Sequence, residues 1–157
     1  MKFKDLVSEV ERYFDIKELV SKRVYEKYKS SAWRFFDPRL LETLVVLRRD
    51  ILGVPLVCNN WKSGGSLQQR GLRENVCDIV RKKTDFDIMY LSAHTIGMAV
   101  DLSSGKMTAD EMRDKIIKNS GKLPYNVRLE DGESAPTWLH IDVCCPPTQT
   151  EKVVKFK

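Results

Sequence analysis

The chain has 157 residues, of which 42% are apolar and 31% are charged, and its formal net charge is +5. These values are ordinary for a globular protein, and a chain of this length is expected to form one domain with a real hydrophobic core. Lysine and arginine are scattered rather than grouped. We therefore interpret the positive charge as a solvated surface and expect no nucleic-acid partner.

The first third of the chain is predicted to be helical. Apolar residues recur at helical spacing over residues 4–29, where Asp15 is a candidate cap for a second helix, and the polar residues 26–31 are expected to form a loop. Asp37-Pro38 is typical of a helix start, with aspartate as the N-cap and proline in the first turn. The apolar face that follows predicts a helix up to Gly53.

Shorter elements are predicted in the middle of the chain. Residues 55–59 are interpreted as a short buried strand, and residues 60–73 as a long polar loop that contains Gly64-Gly65. Residues 75–83 predict a further short helix, which a turn at residues 84–87 is expected to follow.

The last third of the chain predicts a helix and a hairpin. Thr108-Ala109-Asp110-Glu111 is a capping-box pattern, which marks a helix start. Residues 125–130 and 137–143 are predicted strands, joined by the turn-rich sequence at residues 131–134. The expected fold class is therefore α+β, a single domain in which helices flank a small antiparallel sheet that carries the candidate site.

The two histidines of the sequence lie in the stretches Ser92–Asp101 and Trp138–Asp142. Extended backbone before Asp101 would place its carboxylate on a face with small residues, which leaves room for a metal. A histidine, a carboxylate and a distant second histidine are the ligand set of an open zinc site, in which the fourth position is left for water. His94, Asp101 and His140 are therefore the candidate zinc ligands.

Each of these stretches also has a purely structural interpretation. A single histidine in a strand is usually a satisfied structural residue, and an aspartate after an apolar run often ends a strand. We favour metal binding because both histidines of the chain occupy positions consistent with one face.

A family resemblance rests on the same two stretches. They are similar to motifs of the zinc D,D- and L,D-peptidases of the M15 type. The residues that carry the similarity are Ser92-Ala93-His94, Gly97, Ala99 and Asp101 in the first stretch and Trp138-Leu139-His140-Ile141-Asp142 in the second. That group includes D-alanyl-D-alanine carboxypeptidases and phage endopeptidases that cut cell-wall peptides, and the hedgehog signalling domain shares its fold. A third region of the chain resembles the phage and prophage branch of this group, through Asn59-Asn60-Trp61, Gly64-Gly65 and Arg70-Gly71-Leu72-Arg73.

The resemblance runs from about Phe36 to Val143. It implies one M15-like peptidase domain over residues 1–157, with residues 1–35 as an N-terminal helical extension, residues 36–143 as the core and residues 144–157 as a peripheral tail.

The resemblance also implies roles for side chains beyond the zinc ligands. It implies a substrate-facing arginine at Arg70, whose guanidinium is suited to hold a peptide carboxylate, with Arg73 as the less favoured candidate. It implies that Ser92 binds substrate. Without the resemblance, Arg70 would be interpreted as a surface arginine and Ser92 as a loop serine that caps its own backbone.

Peptide hydrolysis also needs a carboxylate as general base, and here the sequence departs from the family pattern. Several members carry glutamate or aspartate three residues before the last histidine ligand, where this chain has Thr137. The alternatives are Glu130, Glu133 and Asp142. We favour Glu130 over Asp142 because it ends the facing strand of the hairpin, whereas Asp142 is equally suited to orienting a ligand.

The expected function is zinc-dependent hydrolysis of D,D- or L,D-type peptide bonds in bacterial peptidoglycan, by a monomer encoded by a phage or prophage. The expected partner is a peptidoglycan peptide. The alternative is a non-catalytic module of the same fold that contains zinc and binds the cell wall or a protein. The absence of the usual base at Thr137 supports this alternative.

The cysteines do not have zinc-finger spacing. We interpret Cys58, Cys77, Cys144 and Cys145 as reduced thiols of a protein made in the cytoplasm. The N-terminus has no apolar signal-peptide core, and no apolar run is long enough to span a membrane. We therefore expect synthesis without a Sec signal, and action on the cell wall if the protein is released.

Overall fold

The computed structural model describes residues 2–84 and 89–157, and within them the chain forms six α-helices and four β-strands. The helices are α1 (Phe3–Val10), α2 (Ile16–Leu19), α3 (Lys22–Tyr28), α4 (Pro38–Val46), α5 (Asp78–Lys83) and α6 (Ala109–Lys118). The strands are β1 (Ala99–Leu102), β2 (Val127–Glu130), β3 (Leu139–Asp142) and β4 (Val153–Phe156). The α+β fold class predicted from the sequence is confirmed.

Side-chain caps divide the N-terminal region into three short helices. The Asp15 carboxylate accepts a hydrogen bond from the Lys17 backbone N–H at 2.8 Å, and the Glu18 carboxylate accepts one from the Asp15 backbone N–H at 3.0 Å, which completes a capping box at α2. The loop predicted at residues 26–31 is wrong. Helix α3 runs to Tyr28 and a 3-10 helix follows over Lys29–Phe35, because burial of apolar side chains in this segment outweighs its polar composition.

Helix α4 begins where the sequence predicts. Asp37 accepts a hydrogen bond from the Arg39 backbone N–H at 2.8 Å, and Pro38 lies in the first turn. A π-helical turn over Leu47–Ile51 continues the helix toward Gly53, whose φ of +71° ends it. The leucines of α4 are fully buried in the core that α1 and α2 also line.

The four strands form one sheet in the order β1-β3-β2-β4. β1 and β2 are both antiparallel to β3, as the predicted hairpin requires, and β4 is parallel to β2. The sheet is therefore mixed, and its fourth strand comes from the tail that the sequence analysis treats as peripheral. Met112 and Ile116 of α6 cover the apolar face of β1, β2 and β3, which is fully buried, so the polar side chains of these three strands share the opposite face.

Three other sequence predictions concern residues 55–87. The strand predicted over residues 55–59 is wrong, since only Val57 pairs, in an isolated bridge to Ser103 just beyond β1. The helix predicted over residues 75–83 is confirmed in its second half, as α5. Of the turn predicted at residues 84–87, residues 85–87 lie outside the described residues. No helix in the described ranges is both long and apolar enough to span a membrane.

Candidate metal centre

The sheet register brings two of the predicted ligands together. Asp101 of β1 pairs directly with His140 of β3, and both side chains lie on the polar face of the sheet. Directly paired residues in an antiparallel sheet have Cβ atoms about 5 Å apart, so their polar atoms can meet. The alternation of side chains between the two faces of a strand, which the sequence predicts for both strands, therefore places Asp101 and His140 side by side.

His94 reaches the same point from a turn that precedes β1. Gly97 has a φ of +69°, and a Cβ atom at this position would collide with the carbonyl oxygen of Phe35. The Gly97 carbonyl in turn accepts a hydrogen bond from the Asp37 backbone N–H at 3.0 Å. This close contact with the start of α4 fixes the turn, and with it the position of the His94 ring above β1.

The three side chains converge, and each contributes one atom that can bind a metal. His94 Nε2 lies 3.4 Å from Asp101 Oδ1 and 3.4 Å from His140 Nδ1, and His140 Nδ1 lies 2.7 Å from Asp101 Oδ1. All three residues are largely buried. Within residues 2–84 and 89–157, these three side chains form the group of histidine, cysteine and acidic residues that lies close enough together to hold a metal ion.

These distances fit a small tetrahedral ion. Ligand atoms about 2.0–2.1 Å from a tetrahedral zinc are about 3.4 Å from one another. The two distances from His94 Nε2 already have this value, and the shorter one is a hydrogen bond between Asp101 and His140 that a metal would replace. Widening this one distance by about 0.7 Å would give all three pairs the spacing of a tetrahedral site.

Hydrogen bonds on the far side of each ring point the correct nitrogen at the site. His94 Nδ1 donates to the carbonyl oxygen of Gly71 at 3.0 Å, which leaves Nε2 free to bind. His140 Nε2 lies 3.3 Å from Asp142 Oδ2, which leaves Nδ1 free to bind. Such partners are typical of metal-binding histidines, because they fix both the ring orientation and the tautomer.

Burial and charge set different protonation states for the two histidines. Burial lowers the pKa of His94, although its contact with Asp101 partly offsets this effect. Burial would also lower the pKa of His140, but its hydrogen bonds to Asp101 and Asp142 raise it to about 9. The same contacts outweigh burial at Asp101 and hold its pKa well below the usual value.

The converging atoms lie at the floor of a cleft of about 660 Å³. Side chains of β2, β3 and β4 line it, together with residues 90–94 and Ile96. Its walls include Trp138, whose position two residues before His140 places it on the same face, and Phe156 of the C-terminal strand, whose ring centroid lies 5.7 Å from that of His140. The candidate metal centre is therefore open to a ligand.

Glu130 and Asp142 occupy different positions in this cleft. Continuing the β2–β3 register by one residue places Glu130 beside His140, and its side chain lines the cleft. Asp142 is fully buried, and both of its oxygens are occupied: they accept hydrogen bonds from the Arg128 guanidinium at 2.9 and 3.0 Å and from the Cys144 backbone N–H at 2.9 Å, besides the His140 contact. This position suits Asp142 to orienting His140 rather than to accepting a proton.

The other two base positions lie outside the cleft. Thr137 is exposed in the turn before β3. The Glu133 side chain is 84% exposed and its carboxylate lies 3.2 Å from the Lys157 ammonium.

The predicted substrate residues divide in the same way. Ser92 is buried and lies in the cleft wall. The Arg70 guanidinium instead donates to Ser103 Oγ at 3.0 Å, and Arg73 is the arginine of this loop that lines the cleft. Arg73 Nη2 lies 3.9 Å from Asp101 Oδ2.

Several cleft residues were not singled out from the sequence, among them Arg128 and Phe156. Arg128 shares the alternating face of β2 with Glu130, so the period-two pattern contained a signal for it. Phe156 had no comparable signal, because nothing local shows that the tail pairs with β2.

Comparisons of the chain with protein-family models, with curated proteins and with solved structures return no match. The geometry of the candidate metal centre is therefore the basis for a functional proposal.

Proposed function

We propose that the protein is a zinc-dependent peptidase of the M15 type that hydrolyses D,D- or L,D-type peptide bonds in bacterial peptidoglycan. The observation that carries this proposal is the convergence of His94 Nε2, Asp101 Oδ1 and His140 Nδ1 at the floor of an open cleft. The choice of cell-wall peptides as substrate rests on the resemblance of the two histidine motifs to those of M15-type peptidases.

The donor set supports zinc. Two imidazole nitrogens and one carboxylate oxygen are typical of catalytic zinc sites, which use three protein ligands and leave a fourth position for water or substrate. When bound, zinc would supply a Lewis acid that lowers the pKa of a coordinated water toward about 7 and polarises the scissile carbonyl.

Glu130 is the proposed general base. Its side chain lines the cleft from the strand position next to His140, on the face of the sheet that also carries Asp101. Its carboxylate would take the proton from the nucleophilic water as the oxygen attacks the peptide carbon, and would deliver it to the amine nitrogen as the C–N bond breaks. One carboxylate at this position therefore serves both proton transfers.

The remaining polar side chains position the reacting groups. Asp142, held by Arg128, keeps the proton of His140 on Nε2, so that Nδ1 faces the cleft. Arg73 is proposed to hold a substrate carboxylate or carbonyl, in the role that the resemblance implies for Arg70. Ser92 lies on the same wall and can contact the bound peptide.

One observation favours a second candidate function. Thr137 stands where several family members carry the base, and its exposed position in a turn keeps it from replacing that base. The second candidate is therefore a zinc-containing module that binds peptidoglycan without cutting it. Glu130 decides between the two, because an enzyme requires its carboxylate and a binding module does not.

The test is incubation of the zinc-loaded protein with purified peptidoglycan of several wall types, followed by mass spectrometry of the released fragments. The peptidase proposal predicts fragments that end at a newly hydrolysed peptide bond and that disappear when zinc is removed with a chelator. Peptidoglycan binding without fragment release from any wall type would favour the binding module.

A further inference from the structure

A second cavity of about 660 Å³ lies next to the metal cleft, and the two share Arg73 and Ile96 as a common wall. The two cavities are therefore adjacent, and one extended peptide that crosses these two residues would reach both. The outer wall of the second cavity comes from α3 and the 3-10 helix after it, which belong to the N-terminal extension.

Arg73 lies at the junction of the two cavities without a full set of partners. It is 7% exposed, and its Nε has no hydrogen-bond partner within residues 2–84 and 89–157. Its one ion pair in these residues is the 3.9 Å contact with Asp101, whose Oδ1 belongs to the metal centre. A buried guanidinium is costly unless an anion accepts its hydrogen bonds, so Arg73 is suited to an anionic group brought by the ligand.

The outer wall adds further positive charge. The Lys27 ammonium lies 5.2 Å from the centroid of the Tyr28 ring, and the Arg23 guanidinium lies 3.6 Å from Glu74 Oε1. With Arg73, three cations and one carboxylate line this cavity, so its walls carry an excess of positive charge. An acidic ligand would be attracted into it, and a basic one would be repelled.

Apolar side chains complete the cavity. Val24 and Leu72 lie in its wall with the Phe35 ring, so the cavity can receive an aliphatic stem as well as a charge. A carboxylate on a short aliphatic side chain of a peptide has both features.

We propose that the second cavity is a substrate subsite that binds a carboxylate of an acidic peptide whose scissile bond lies in the metal cleft. The proposal rests on the peptidase function proposed above and extends it to the substrate class. Arg73 would contact the peptide between the two cavities, and Arg23 and Lys27 would surround the carboxylate. The N-terminal extension would thereby determine which peptides the enzyme accepts.

The test compares alanine hexapeptides that carry one glutamate or one glutamine at the same position, with the position scanned along the peptide. Binding is measured by titration calorimetry on the zinc-loaded full-length chain with Glu130→Gln, which keeps the peptides intact. At the best position, the glutamate peptide should bind about tenfold more tightly than its glutamine counterpart, since charge-assisted hydrogen bonds are about twice as strong as neutral ones.

Arg23→Gln with Lys27→Gln should reduce this preference to less than about twofold. Both side chains are exposed, so the fold should tolerate the change. The control, Lys4→Gln with Lys118→Gln, also removes two positive charges, but from exposed positions that line neither cavity. It should leave the preference intact.

The outcomes separate the two proposals. Equal binding of the two peptides at every position, or a preference that survives the Arg23 and Lys27 substitutions, would overturn the subsite. A preference that depends on these two residues, in a protein that releases no peptidoglycan fragments, would support binding of an acidic peptide in the second cavity and refute the peptidase.

Discussion

Metal binding to this site should depend on pH with a slope that the structure specifies. The metal needs the lone pairs of His94 Nε2 and His140 Nδ1, so both rings must be neutral to bind it. Burial lowers the pKa of His94, and this ring is already neutral near pH 7. Two carboxylates raise the pKa of His140 to about 9, so this ring carries a proton that the metal must displace.

The magnitude follows from the one displaced proton. Below the pKa of His140, which is about 9, the neutral fraction of this ring rises about tenfold with each pH unit. Between pH 6 and pH 8 the apparent dissociation constant for zinc should therefore fall about 100-fold. It should fall no further once pH exceeds the pKa of His140.

The assay is competition for zinc with a chromophoric chelator over this pH range, corrected for the titration of the chelator itself. Calorimetry in buffers of different ionisation enthalpy counts the released protons independently. A pH-independent affinity would refute a protonated His140, and a release of two protons would refute a neutral His94.

Asp142→Asn provides the control for this reasoning. It removes one of the two carboxylates that raise the pKa of His140 while leaving all three metal-binding atoms in place. The pKa of His140 should fall, and the slope should flatten at a lower pH than in the parent protein. An unchanged slope would show that Asp142 does not control the protonation of His140.

Three further predictions concern single side chains. Glu130→Gln should lower turnover of peptidoglycan by about 10²–10⁴-fold at unchanged zinc content, and Glu133→Gln, in an exposed turn, should retain wild-type turnover; the opposite ranking would reassign the base. Arg73→Lys should raise KM for cell-wall peptides more than Arg70→Lys does in initial-rate assays, and equal effects would contradict the location of Arg73. Arg113→Met should lower the free energy of unfolding in urea by about 3 kcal/mol, because the carbonyls of Glu130, Ala135 and Trp138 lose their charged donor; a change under about 1 kcal/mol would contradict this account.

Local signals in the sequence predict much of the scaffold. Asp37-Pro38 and the capping box at Thr108 mark helix starts because the cap side chain bonds to backbone only two or three residues away. The period of two around Asp101 and His140 predicts the shared face because side-chain direction in a strand is fixed by the backbone alone. These signals are contained within a few residues of sequence.

The features that depend on distant contacts could not be predicted in this way. The parallel pairing of β4 with β2 depends on where the chain passes after Pro146-Pro147, and no nearby residue encodes it. The choice between Arg70 and Arg73 depends on the path of an irregular loop, in which the Arg70 guanidinium meets Ser103. Residues 55–59 have the composition of a strand, but only Val57 finds a partner.

The most direct test of the account is the metal content of the purified protein and its ligand variants, measured by elemental analysis. The account predicts about one zinc per chain, and loss of most of it in His94→Ala, Asp101→Ala and His140→Ala, since each removes one of three converging donors. Ser92→Ala, which changes the cleft wall but no metal-binding atom, should keep its zinc. Zinc retained in both histidine variants would contradict the site.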